Sequence, residues 1–96
     1  MTEEEKTAAF YDRLQEQLEK DTSWPSDYLF KFIVPSSLEK IAEIESVFDN
    51  MGANIQTRDS SKGNFTSISI KVTLASPQAV IKKYLQVSKV EGVISL

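Results

Sequence analysis

The chain has 96 residues and contains neither cysteine nor histidine. Without cysteine there is no disulfide framework and no thiol nucleophile. Without histidine the commonest general acid–base is absent, and Ser–His and Cys–His dyads go with it. Zinc and copper take most of their ligands from these two residue types, so no transition-metal site is expected, and no cofactor. No apolar run approaches the roughly 18 to 20 residues that span a bilayer. The first twenty residues carry Glu3, Glu4 and Glu5 and lack the apolar centre of a secretory leader. A basic surplus is missing too: the net charge of −3 argues against a general nucleic-acid binder. Carboxylate or lysine chemistry would need such groups buried together, and they fall mostly on expected solvent faces. The expectation is a non-enzymatic, cytoplasmic protein.

What is present suits one small globular domain, with 41% apolar and 26% charged residues. Residues 1–22 read as a charged helix and linker, and residues 23–96 as the body. In the helix, residues 3–19, Phe10, Leu14 and Leu18 recur every four positions beside Tyr11. So narrow a stripe suits a helix resting on its own domain, or one completed by another chain. Asp21, Thr22, Ser23 and Pro25 then break the pattern.

From Asp27 to Val34, aromatic and β-branched residues alternate as in a strand that Pro35 ends. Ser36 followed by Glu39 has the form of a capping box. The helix after it runs to about Met51, with Leu38, Ile41, Ile44, Phe48 and Met51 at helical spacing and Gly52 as terminator. Residues 53–61 make a weakly apolar, edge-type strand, and Lys62-Gly63-Asn64 supplies turn chemistry. The next strand alternates most clearly. Thr66, Ile68, Ile70, Val72 and Leu74 share one face, and Phe65, Ser67, Ser69, Lys71 and Thr73 the other. Ser76-Pro77 starts a helix whose buried stripe reads Val80, Ile81, Tyr84 and Leu85. Gly92 precedes a short last strand, Val93 to Leu96.

The order after the first helix is β-α-β-β-α-β. It predicts an α+β, ferredoxin-like split βαβ sandwich. Such a fold has a four-stranded antiparallel sheet with two helices on one face, here with an extra N-terminal helix. Right-handed crossovers place the first and third strands at the centre.

If the helices cover Phe30, Phe32, Ile68 and Ile70, the opposite face carries Leu29, Lys31, Ile33, Phe65, Ser67, Ser69 and Lys71. Lys31 and Lys71 lie on neighbouring strands and, with Ser67 and Ser69, could receive an anion or an acidic peptide. The same residues also describe an ordinary solvated sheet face. Leu29, Ile33 and Phe65 suggest partial cover by the N-terminal helix or another subunit. A second candidate is the turn Ser60-Ser61-Lys62-Gly63-Asn64, where hydroxyls, an ammonium and backbone N–H groups could hold a carboxylate or phosphate. As a polar hairpin turn it needs no ligand. Pro35-Ser36-Ser37 at a helix start ranks lower, because capping alone explains its serines. Glu39, Glu43, Glu45 and Asp49 read as a solvated helix face, since no calcium-type loop spacing is present.

RNA recognition modules share this topology and read bases with aromatics on the open face. Lys62-Gly63 begins like their signature, but Asn64 and Thr66 stand where aromatics belong. An RNA-binding module, or a purely structural or oligomerisation domain, remains the alternative.

The run from Ser60 to Ile70, Ser-Ser-Lys-Gly-Asn-Phe-Thr-Ser-Ile-Ser-Ile, resembles the signature of the YbeD-like family of small bacterial proteins of unknown function. Tyr28 to Val34, with its central Lys31, resembles that family's first strand, Trp24-Pro25 its aromatic–proline pair, and Val90 to Leu96 its ending. The likeness covers residues 23–96. It implies a ferredoxin-like fold similar to ACT-type regulatory domains, which bind small ligands and control enzymes, and it implies no catalytic residues. The expected function is therefore a regulatory or adaptor module. Its partner would be another protein or a small anionic metabolite, met through Lys31, Ser60, Ser61, Lys62, Gly63, Asn64, Ser67, Ser69 and Lys71. A homodimer is compatible with this reading; a membrane is not.

Overall fold

The computed structural model describes residues 2–96; Met1, within the predicted 1–22 segment, lies outside them. The elements are α1 (Glu3–Asp21), β1 (Ser26–Pro35), α2 (Leu38–Val47), β2 (Asn54–Asp59), β3 (Phe65–Leu74), α3 (Pro77–Val87) and β4 (Ile94–Ser95). The strands form one antiparallel sheet in the order β2-β3-β1-β4. The expected ferredoxin-like topology is borne out, with the two most apolar strands at the centre.

The sheet's two faces follow from the period of two along β1 and β3. Antiparallel register sets Phe30 opposite Ile70 and Phe32 opposite Ile68, and all four are fully buried. Ile44 and Phe48 close over them from α2 and its C-cap, and Val80, Tyr84 and Val87 from α3. Burying each aliphatic or Phe side chain is worth about 1.5–3 kcal/mol, so this face holds the fold together. Tyr84 stands among aromatic rings, 5.0 Å from Phe30 and 6.1 Å from both Tyr28 and Tyr11, centroid to centroid. Its hydroxyl shares a 2.9 Å hydrogen bond with that of Tyr28. Burial, reinforced by that bond, pushes the Tyr84 phenol far above the usual tyrosine range.

Several local expectations shift. The N-cap of α2 is Ser37, not Ser36: the Ser37 hydroxyl accepts from Lys40 N–H at 3.4 Å. Ser36 is held elsewhere, its N–H donating to the Asn64 carbonyl at 3.0 Å. Buried Thr66 gives its single hydroxyl proton to Asp59 Oδ1 (2.9 Å), so Ser36 must donate to Thr66 across 2.8 Å. This relay ties the end of β1 to the β2–β3 hairpin. With the cap moved, Leu38 becomes the first helical residue and is 87% exposed rather than buried.

Helix α2 stops at Val47, short of Met51, and Asn50 and Gly52 take positive φ in the turn beyond. Lys83 of α3 donates to the orphaned Val47 carbonyl at 2.8 Å. The burial of α3 follows Pro77, Val80, Tyr84 and Val87, which leaves Leu85 47% exposed. Strand β2 ends at Asp59 rather than at Ser61, and β4 is reduced to Ile94–Ser95.

Helix α1 carries a Thr2–Glu5 capping box and has no fully buried residue. It packs on α3, with Tyr11, Leu14 and Leu18 half-buried against the core. Trp24 Nε1 donates to the Leu18 carbonyl at 3.1 Å, and Gln78 Nε2 to Glu19 at 3.3 Å. The partial cover of the open sheet face expected from α1 is therefore not found: the helix sits on the helical side. Phe10, expected in the apolar stripe, is exposed. Among the described residues no helix is long and apolar enough to cross a membrane.

Candidate functional site

The register assembles the open face row by row. Arg58, Ser67, Ile33 and Ile94 lie side by side across the four strands. The next row is Gln56, Ser69 and Lys31, and the one after it Asn54, Lys71 and Leu29. Leu96 N–H donates to the Lys31 carbonyl at 2.9 Å, which continues the second row. At the two ends Phe65 faces Pro35, and Thr73 faces Asp27.

Lys31 and Lys71 are thus diagonal neighbours, not a direct pair, at a typical separation of about 7–8 Å. Arg58 joins them as a third cation, a residue the sequence reading passed over. Its side could have been found from Ile55. Once Ile55 turns inward opposite Ile70, parity turns Asn54, Gln56 and Arg58 outward. The one side-chain carboxylate of these rows, on Asp27, accepts a hydrogen bond from Thr73. The face is therefore net positive on a chain whose total charge is negative. That excess acts over about a Debye length, roughly 8 Å at physiological salt.

The cations are interleaved with apolar groups. Leu29 is 51% and Phe65 48% exposed, and Ile94 and Leu96 are also open to solvent. Phe65 packs into no aromatic cluster. Because α2 and α3 both lie behind the sheet, none of these side chains meets a helix.

The predicted residues divide. A shallow recess of about 430 Å³ is lined by Ile33, Arg58, Asp59, Ser60, Ser61, Phe65 and Ser67. A smaller one of about 140 Å³ holds Ser69 and Lys71 with Leu29, Asn54 and Gln56. Lys31, Lys62, Gly63 and Asn64 line neither. Part of the serine chemistry is already engaged. Ser67 Oγ donates to the Arg58 carbonyl at 3.3 Å. Ser60 Oγ accepts Phe65 N–H at 3.2 Å, while Ser60 N–H donates to the Phe65 carbonyl at 2.8 Å. Gly63 N–H closes the turn on the Ser60 carbonyl at 2.9 Å. With φ at +74° and open space where a Cβ would lie, Gly63 serves the backbone turn. The hairpin is built chiefly to turn the chain, and it places Ser61 and Lys62 on an exposed tip.

Chemically, the face can draw in negative charge and cover apolar side chains, and its recesses are shallow and open to solvent. Its architecture lies wholly within residues 26–96, and the model of one family, protein of unknown function (DUF493), matches residues 19–96. The chain belongs to the DUF493 family. This is the YbeD-like family to which the serine-rich hairpin pointed. No curated protein and no solved structure matches the chain. The DUF493 match takes in every strand together with α2 and α3, and begins in the last turn of α1. The open face therefore belongs to the DUF493 body, and most of α1 is added to it.

Proposed function

We propose that this DUF493 protein is a non-catalytic, regulatory or adaptor module of the bacterial cytoplasm. It docks a protein partner on the open face of its sheet. The observation that carries this reading is the mixture on that face. Leu29, Phe65, Ile94 and Leu96 are exposed between Lys31, Arg58 and Lys71, and the recesses among them are open. A partner presenting apolar side chains among carboxylates would bury the former and neutralise the latter. The lack of histidine and cysteine supports a role without catalysis. Phe65 is the one aromatic among these rows, whereas stacking of RNA bases uses several, which favours a protein over RNA.

The recess beside the hairpin favours a second reading, a sensor for a small anion. There Arg58 meets Ser60, Ser61 and Ser67 within about 430 Å³. Melting across a panel of anionic metabolites separates the two. Ligand at 100 times its Kd adds about 2.7 kcal/mol of stability. The docking reading predicts no such shift. It predicts instead a stoichiometric partner captured from native cells by the wild type and lost with Lys31→Glu/Arg58→Glu/Lys71→Glu. A partner captured equally by that variant refutes docking on this face.

A further inference from the structure

Charge is distributed unequally along the chain. Helix α1 carries seven carboxylates against three cations, while residues 22–96 carry seven against eight. The acidic helix does not pack flush on α3. Between them runs an open groove of about 480 Å³. Its floor is apolar, made by Ala8 and Tyr11 from α1 and by Ile81 and Leu85 from α3. Glu4 and Asp12 line it from α1 with Glu3, which also pairs with Lys6 at 3.9 Å. Among the described residues no lysine or arginine lines it.

The spacing sets the shape of what fits. Ile81 and Leu85 are four residues apart, as are Glu4 and Ala8, and Ala8 and Asp12. Each wall therefore exposes a straight line of side chains, over about two helical turns on α1 and about one on α3. Glu19 bonds Gln78 near the start of α3, and the groove lies near its end. The two helices are thus antiparallel, and the furrow between them can seat a third. Leu85, 47% exposed, is the apolar group left unpartnered there.

We infer that the α1–α3 groove is a second docking site, which takes a basic amphipathic helix from a partner protein. Apolar side chains of that helix at i, i+3 or i+4, and i+7 lie on Tyr11, Ile81 and Leu85. Its flanking lysines or arginines meet Glu4 and Asp12. The site is independent of the open face in position and opposite to it in charge. It depends on α1, nearly all of which lies outside the family match, so it distinguishes this chain from a body-only relative.

The test uses the full chain and a synthetic helical peptide of about 18 residues, long enough to fold in the groove, with a leucine stripe flanked by lysines. Binding is read by fluorescence polarisation and mapped by amide chemical shifts. The lysine peptide is expected to bind at least about tenfold more tightly than the same peptide with glutamate flanks or with scrambled order. Leu85→Ser and Asp12→Lys should each weaken it about tenfold or more, while Arg58→Glu on the sheet leaves it unchanged. Shifts should centre on Tyr11, Ile81 and Leu85. Equal binding of the scrambled peptide would reduce the effect to bulk charge and overturn the proposal. So would undiminished binding by Leu85→Ser, or the absence of any binding. A concentration-dependent dimer abolished by Leu85→Ser would overturn it as well, by making a second copy the occupant.

Discussion

The two faces of one sheet are made by the same strands, residue by alternate residue, yet they are governed by different physics. Behind the sheet, Phe30, Phe32, Ile68 and Ile70 have lost all contact with water. In front, their immediate neighbours Leu29, Lys31, Ser69 and Lys71 keep theirs in whole or in part. The rear face therefore carries stability and the front face is free to carry recognition. Substitutions that cross between the faces should separate the two properties.

The largest effect is expected at Phe30. Phe30→Ala removes a ring packed on Phe32, Phe48 and Tyr84 and should cost about 3–5 kcal/mol in urea unfolding. Leu29→Ala, one residue away, should stay within about 0.5 kcal/mol. Comparable losses at both would break the division. Next comes the hydroxyl relay at the sheet's end. Thr66→Val strands a hydrogen-bonding partner on both Ser36 and Asp59 and should cost about 1–3 kcal/mol, read as a lower midpoint with an unchanged slope.

A third effect is one of pH. Tyr84 has a raised pKa when folded, whereas in the unfolded chain it titrates near 10. Its contribution is therefore complete below about pH 10 and is lost as pH rises beyond that, because only the unfolded chain then releases the proton. Wild-type stability should fall steeply above about pH 10, and the fall should be shallower in Tyr84→Phe. A parallel profile for the variant would show that other groups dominate the alkaline limb. The smallest effect on stability belongs to the front face. Lys31→Ala/Arg58→Ala/Lys71→Ala should change folding by no more than about 0.5 kcal/mol per site while removing partner binding.

Much of this division was legible beforehand, because β3 alternates without interruption and β1 follows it. Once β1 and β3 pair with Phe30 opposite Ile70 on the buried side, parity alone brings Lys31 and Lys71 onto the other face. Less was legible where two residues compete for one role. Ser36 and Ser37 both make good caps, and the choice fell to Thr66, a long-range partner that no local pattern reveals. Leu85 fits the helical spacing as well as Val87 does, and only the face that α3 turns to the core, which buries Val87, decides between them. Helix α1 itself offered a stripe too narrow to say what it lay against. Arg58 was missed because β2, an edge strand with one strongly apolar residue, gives weak evidence of its own parity.

Site-specific photo-cross-linking in the native cell tests the central claim most directly. A photoreactive residue is placed at Phe65 on the front face and, as control, at the still more exposed Leu38 behind it. A discrete adduct from position 65, absent from position 38 and lost when Lys31, Arg58 and Lys71 are reversed in charge, is the predicted result. Adducts that form at position 38 and not at 65, or that survive the charge reversal, would contradict the assignment of recognition to the open sheet.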